Sequence, residues 1–386
     1  MGPERHLIVL HVLDTLGTGG AERQLATFLR RSDPQRFRHV VCTLGAGGPV
    51  ESELIATGVR ICNLGVGSRM GLVRSVAGLR RVVQEVRPHV IHATLFRPGV
   101  AARIVGRWCR IPVITSLVNT TYEPEWRLDN PRLTPWKVWS VQAIDRVTTR
   151  LGDTRYVAIT ESVKVSAVRR LGIPPERIVI IPRGLVPERW VGCEDAAAVR
   201  QSLGWQDAYP VIVNVGRLVP QKGQQYAVRA MTAVVARFPM ARLAIAGEGR
   251  LRPVLERLIR DLGLTDHVSL LGERDDVARL LHAADIFVFP SLFEGLGNAV
   301  LEAMAAGKPC VCSNIPALRE VTDNGRVAAL AEAQSPASLA SALVRLAVDR
   351  EAAWQLGRQA QAWVRQRYDI RVAVSRLEAL YQEVVD

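Results

Sequence analysis

Phe289-Pro290-Ser291-Leu292-Phe293-Glu294-Gly295-Leu296-Gly297-Asn298-Ala299-Val300-Leu301-Glu302-Ala303-Met304-Ala305-Ala306-Gly307-Lys308-Pro309 is the stretch whose reading decides the architecture. An apolar run ends at Pro290, a glycine-rich turn follows, and a helix then runs to Gly307, where glycine and Pro309 stop it. Asn298 has the side chain to cap that helix. Strand, turn and helix in this order form the unit of a parallel sheet, and open parallel sheets bind ligands beyond the carboxyl ends of their strands. Free N–H groups at Gly297, Asn298 and Ala299, together with the helix dipole, suit a diphosphate without any cation. Glu294 in the turn and Glu302 one turn into the helix are acceptors for hydroxyl groups, such as those of a sugar nucleotide.

A second segment of the same kind lies upstream, Val213-Asn214-Val215-Gly216-Arg217-Leu218-Val219-Pro220-Gln221-Lys222-Gly223. It brings Arg217 and Lys222 to a turn after a strand. The chain has 46 Arg and four Lys, so a lysine here is compositionally unusual and points to a place for a compact ammonium rather than a guanidinium.

Working outward, short β-branched runs alternate with amphipathic segments along the chain. In the first half they are Leu7–Leu13, His39–Leu44, Val59–Leu64, His89–Ala93, Pro112–Leu117 and Tyr156–Thr160; the rhythm restarts at Val211–Val215, Leu243–Ala246, Val268–Leu271, Ile286–Pro290 and Pro309–Ser313. Pro182, Gly184, Pro187, Gly192 and Gly204 interrupt it between, which marks a linker. Beyond about Ala331 the pattern is helical. The expectation is an α/β chain of two doubly wound Rossmann-like domains facing a central cleft. Its divisions fall at residues 1–185, a linker 186–208, 209–365, and a helical tail 366–386 that packs back toward the first domain. A chain of 386 residues is too long for one such domain.

The turn Gly17-Thr18-Gly19-Gly20-Ala21-Glu22 follows the first strand. It fails as a dinucleotide fingerprint, because Glu22 stands at the third glycine position and no acid ends the second strand. What remains is a glycine turn opening onto a helix, suited to an anion or an acceptor.

The formal charge of +13 is concentrated. Residues 1–190 carry 28 Lys and Arg against 15 Asp and Glu, whereas residues 191–386 balance. Trp126, Trp136 and Trp139 interleave with Arg127, Arg132 and Lys137, and the stretch Phe96 to Arg110 adds Arg97, Arg103, Arg107, Arg110 and Trp108. Aromatics beside cations suit an anionic membrane surface; no nucleic-acid module is present, and nucleic acid is not an expected partner. No run of about 18 uncharged apolar residues exists, and Met1 to Leu13 reads as a first strand rather than a signal peptide. A cytoplasmic chain, peripheral on the inner face of a membrane, is expected. Cys42, Cys62, Cys109, Cys193, Cys310 and Cys312 lack the spacing of a metal or redox site; no metal and no cofactor are expected.

The Glu294 and Glu302 pair in F-E-G-L-G-N-A-V-L-E-A-M-A-A-G-K-P, with G-R-L-V-P-Q-K-G and Ala246-Gly247-Glu248-Gly249 before it, resembles the retaining glycosyltransferase family 4 of GT-B fold. Gly19-Gly20-Ala21-Glu22-Arg23 resembles a submotif of bacterial members that build polysaccharides or glycolipids. The resemblance implies a metal-independent hexosyl transfer from a nucleotide-diphosphate sugar to a saccharide or lipid-linked acceptor. By it, Arg217 and Lys222 neutralise the diphosphate, Glu302 binds the ribose, Glu294 contacts the transferred sugar, and Glu273 and Arg274 lie by the base. Gly216, Gly247, Gly297, Asn298 and Ala299 complete the donor site, and Gly17, Gly19 and Gly20 form an acceptor or phosphate loop. His92 is the first-domain candidate for contact with the reacting sugar. The chain departs from the family at Thr94, in Ser116–Thr120 and at Arg183, where histidines and an asparagine are usual. A sugar-nucleotide epimerase of the same architecture and a non-catalytic sugar-nucleotide scaffold stay open as alternatives.

Overall fold

A computed structural model describes residues 6–17, 19–67, 71–128, 134–192 and 196–386, without the side chains of Trp126 and Arg127. Thr18, Arg132, Cys193 and those two side chains, all named above, therefore lie outside the described residues. The chain divides into two compact units. One comprises Met1–Glu123, Arg132–Gly184 and Ile370–Asp386, the other Pro124–Pro131 and Leu185–Asp369.

The first unit is built on seven strands: β1 Leu7–Leu13, β2 Phe37–Thr43, β3 Arg60–Asn63, β4 Val90–Thr94, β5 Val113–Leu117, β6 Thr154–Ala158 and β7 Ile178–Ile180. All pair in parallel, in the order β3-β2-β1-β4-β5-β6-β7. The central strands are apolar on both faces because helices cover both. Leu10, Val12, Ile91 and Val113 meet Leu79 and Val83 of the helix Gly71–Val86. The last helix of the chain, Ile370–Val385, also belongs to this unit and sends Tyr381 into its interior.

The second unit carries β8 Val211–Val215, β9 Arg242–Ala246, β10 Val268–Gly272, β11 Ile286–Phe289, β12 Cys310–Ser313 and β13 Ala329–Ala331. They form a parallel sheet in the order β10-β9-β8-β11-β12-β13. Its core joins Ile212, Leu243, Ile245 and Val288 to Met231 and Val234 of the helix Gln224–Arg237. In both sheets the order reverses once, between β1 and β4 and between β8 and β11. Each reversal makes a crevice at the strands' carboxyl ends.

Three sequence expectations need correction. Two edge strands, β7 and β13, were not expected; each is three residues long, too short to show a period. The expected linker, 186–208, contains a 3-10 turn at Pro187–Trp190 and a helix at Ala196–Ser202. Arg103, assigned to a basic surface, is buried at 2% exposure. Its Nη2 donates to Asp145 Oδ1 at 2.5 Å and to Thr148 Oγ1 at 2.9 Å, and Tyr122 donates to the other carboxylate oxygen at 3.0 Å. A buried guanidinium needs this pairing.

Candidate active site

The turns after β8, β9, β10 and β11 are tied to one another by backbone. Gly216 N–H donates to Ala246 O at 2.9 Å, Leu218 N–H to Glu248 O at 2.8 Å, and Gly247 N–H to Gly272 O at 2.7 Å. On the other side of β8, Leu292 N–H donates to Gln221 O at 2.8 Å, and Gln221 Nε2 returns a bond to Phe293 O at 2.8 Å. Gly223 has φ +63°, and a Cβ there would lie 2.1 Å from Pro290 O, so only glycine lets these two turns approach so closely. The sequence-predicted Gly216, Lys222, Gly247, Glu294 and Gly297 thus belong to one stitched set of loops at the β8/β11 crevice.

At its centre Lys222 Nζ meets Glu294 Oε1 at 2.5 Å, with the two side chains 16% and 7% exposed. Ser291 Oγ donates to the same carboxylate oxygen at 2.6 Å and also bonds Gln221 O at 3.1 Å. The ammonium stands 4.9 Å from the centroid of the Phe289 ring, a favourable place for a cation. Glu294 is therefore held from two sides, by Ser291 of its own turn and by Lys222 of the turn after β8.

Arg217 differs. Its side chain is exposed, and its backbone carbonyl is held by Gln224 Nε2 at 3.0 Å. Gln224 Oε1 and Asn214 Oδ1 are buried acceptors without a partner, although Asn214 Nδ2 donates to Val288 O at 2.8 Å. Gln221, Gln224 and Ser291 are the positioning residues that sequence reasoning missed. Single polar residues in turns carry no periodicity, and their only signal was proximity to Arg217, Lys222 and Glu294.

The helix Asn298–Ala305 begins differently from the expectation. Gly297 is its N-cap, at φ +85°, no side chain caps it, and Asn298 is its first residue. Glycine is required at that φ, and the absence of a side-chain cap leaves the first-turn amides of Asn298 and Ala299 to other acceptors. Glu302 is half-buried one turn further on. Of the pair expected beside a base, Glu273 is exposed, whereas Arg274 is held by Asp276 through bonds of 2.7 and 2.6 Å. That pairing holds the Asp276 carboxyl below its ordinary range.

In the first unit His92 is 7% exposed and occupied at both ring nitrogens, Nδ1 with Tyr381 OH at 2.6 Å and Nε2 with Ser116 Oγ at 2.8 Å. Burial, reinforced by His39, pushes its pKa down to about 3. Its expected contact with the reacting sugar is not supported by this geometry; the neutral ring is a link inside the protein. The His11 ring lies beside that of His92, 5.6 Å between centroids, and starts a separate hydrogen-bonded chain: His11 Nε2 to His39 Nδ1 at 3.0 Å, His39 Nε2 to Ser32 Oγ at 2.8 Å, and Ser32 Oγ to Glu378 Oε1 at 2.6 Å. Gly19 is the N-cap of the helix Gly20–Leu29 and Gly17 precedes it in the loop. Of the cysteines, Cys42, Cys310 and Cys312 are buried free thiols, and no group of three metal-ligating side chains is gathered among the described residues.

Two reversed parallel sheets and a cationic, carboxylate-bearing loop set at the crevice of the second define a GT-B glycosyltransferase that uses nucleotide-sugar donors. The family described as "Glycosyltransferase Family 4" matches residues 18–189, and "Glycosyl transferases group 1" matches residues 209–349. The chain belongs to glycosyltransferase family 4 and is an enzyme of the hexosyltransferase type. It is 27% identical over 284 residues to the Escherichia coli UDP-Gal:alpha-D-GlcNAc-diphosphoundecaprenol alpha-1,3-galactosyltransferase, covering 72% of this chain and 71% of that one. It is 30% identical over 237 residues to a Mycobacterium tuberculosis GDP-mannose-dependent alpha-(1-6)-phosphatidylinositol monomannoside mannosyltransferase, covering 58% and 62%. The crystal structure of Anabaena HepE in complex with UDP superposes with a TM-score of 0.84 at 22% identity, over 98% of this chain and all of that one.

Proposed function

We propose that the enzyme moves a hexose from a nucleotide-diphosphate donor onto a saccharide or lipid-linked acceptor, without a metal and with retention of anomeric configuration. The observation that carries this reading is the Lys222–Glu294 pair, held at the β8/β11 crevice beside the uncapped start of the helix Asn298–Ala305. Breaking the anomeric bond leaves charge on the diphosphate, and groups already aimed at that charge stabilise the transition state most. Lys222, Arg217 and the amides of Asn298 and Ala299 take that part. Glu294 accepts hydrogen bonds from the sugar hydroxyls and Glu302 from the ribose. The acceptor oxygen attacks the face the diphosphate leaves, and a phosphate oxygen takes its proton; Glu294 holds the sugar and forms no covalent bond to it.

A lipid-linked acceptor is favoured by the names of the Escherichia coli and Mycobacterium tuberculosis relatives, whose acceptors are an alpha-D-GlcNAc-diphosphoundecaprenol and a phosphatidylinositol monomannoside. An anionic membrane surface fits the same reading. Trp108, Trp136 and Trp139 are 60%, 65% and 71% exposed, Arg80 lies over the Trp108 ring, and Lys137 lies over that of Trp136. No described helix is long and apolar enough to cross a membrane.

The test is thermal stabilisation by a panel of nucleotides and nucleotide sugars with EDTA present, in the native protein and in Arg217→Ala and Glu302→Ala. Ligand at a hundred times its dissociation constant adds about 2.7 kcal/mol. Stabilisation by one nucleotide family, lost in both variants, names the base and sustains the reading; silence from every member in a folded protein overturns it.

A further inference from the structure

The first unit has a cavity of its own, of about 100 Å³, at the β1/β4 reversal. His11 and Leu13 of β1, His92 and Thr94 of β4 and Ser116 of β5 line it, and the loop Ile181–Gly184 and the helix Ile370–Val385 close it. Most of the remaining wall is apolar. At roughly 30 Å³ per water it has room for about three waters, which is the size of a phosphate or carboxylate group rather than of a sugar ring.

The charges around this cavity do not balance. His11 and His92 are kept neutral by burial, so Arg183 is the one formally charged residue in the lining. Among the described residues no hydrogen bond or ion pair holds its guanidinium. Burial pushes its pKa down to about 10, offset in part by the carboxylate of Glu22. That carboxylate is turned toward Gly19, 2.5 Å from where a Cβ would stand on that residue. The loop itself is fixed, since Gln24 Nε2 donates to Gly184 O at 2.9 Å. A half-buried guanidinium that no ion pair holds keeps donors to spare, and its planar set of donors matches a carboxylate or a phosphate.

We propose that this cavity is an anion site in which Arg183 binds a phosphate or carboxylate group, with Thr94, Ser116 and Gln24 as neutral hydrogen-bonding walls. The site deepens the transferase reading and rests on it in one respect: the anion is a group carried by the acceptor, so that the acceptor class is anionic. Free phosphate offers the same chemistry, and the experiment separates the two sources.

Inorganic phosphate is titrated into the full chain with the donor site first saturated by whichever nucleoside diphosphate stabilises it, and binding is read by thermal shift. The native protein shows saturable stabilisation. Arg183→Leu loses at least about tenfold in phosphate affinity, the scale of a lost charge-assisted bond, while Arg183→Lys keeps part of it and Glu22→Gln tightens it. Nucleotide affinity is the same in all four proteins. Without ligand, Arg183→Leu melts no lower than the native chain, because it removes a half-buried charge that no ion pair holds. A sugar phosphate that binds more tightly than phosphate, through Arg183, marks the anion as part of the acceptor; tighter inorganic phosphate marks a free anion. Phosphate binding unchanged in Arg183→Leu, or no phosphate response in the native chain, overturns the site. Phosphate binding through Arg183 in a chain that binds no nucleotide sustains the anion site and defeats the transferase reading instead.

Discussion

Lys222 and Glu294 are separated by 72 residues of sequence and meet at 2.5 Å, each on a turn that leaves its own strand. Their contact joins the loop after β8 to the loop after β11, so each of the two side chains is positioned by the other. Replacing Lys222 by Met leaves a buried carboxylate without its partner. That type of break costs about 3–5 kcal/mol, read as a lower melting temperature. The double variant Lys222→Met with Glu294→Gln recovers much of that stability and none of the transfer activity. A double variant as unstable as the single one would show that the pair is not what joins the loops.

Gly223→Ala places a methyl group 2.1 Å from Pro290 O in a backbone at φ +63°. The β8 and β11 turns must part to admit it. Nucleotide affinity falls with stability, by one to two orders of magnitude, whereas alanine at Gly263, which has a positive φ but open space around it, lowers stability alone. Nucleotide titration of the two variants separates these effects.

Stability falls in mild acid through the first unit. Burial holds the His39 pKa down to about 4 and that of His92 to about 3, and lowers that of His11 as well. In the unfolded chain these groups protonate near pH 6.5. The unfolded state thus binds more protons between that value and the folded pKa values, so the stabilisation is complete above pH 6.5 and lost as pH falls. Each histidine contributes a slope of up to about 1.4 kcal/mol per pH unit in this window. Denaturant melts at pH 7.5 and 5.5 measure it; replacing His39 by Gln makes the slope shallower.

Trp136→Ser with Trp139→Ser reduces sedimentation with vesicles rich in anionic lipid and leaves nucleotide affinity unchanged. Raising the salt concentration weakens the native protein's binding as well, because surface charges are screened within about 10 Å at 0.1 M salt. Equal sedimentation of native and variant protein would remove these tryptophans from the membrane reading.

Much of this was legible in the residues, for physical reasons. Val211–Val215 is a strand at the bounds its β-branched run suggests, and the paired turns with Lys222 and Glu294 follow from strand-turn-helix grammar. Local sequence could not reveal long-range partners. Arg103 reads as surface charge until Asp145, 42 residues away, is placed against it. His92 reads as a reactive group until Tyr381, 289 residues away, occupies its ring. Asn298 is the better cap by side chain, yet the backbone at Gly297 takes a conformation that only glycine adopts with ease, and that requirement sets the helix start.

The helix Ile370–Val385 completes the first unit only at the end of synthesis. Gly184 closes the body of that unit, and its missing helix begins 186 residues later. At about 5–20 residues per second, a ribosome needs on the order of 10–40 s to bridge that interval. For that time His11, His39 and His92 lack the Tyr381 and Glu378 side chains that complete their network. A message truncated before the codon for Ile370 thus yields a polypeptide whose first unit is incomplete although every residue up to Gly184 is present.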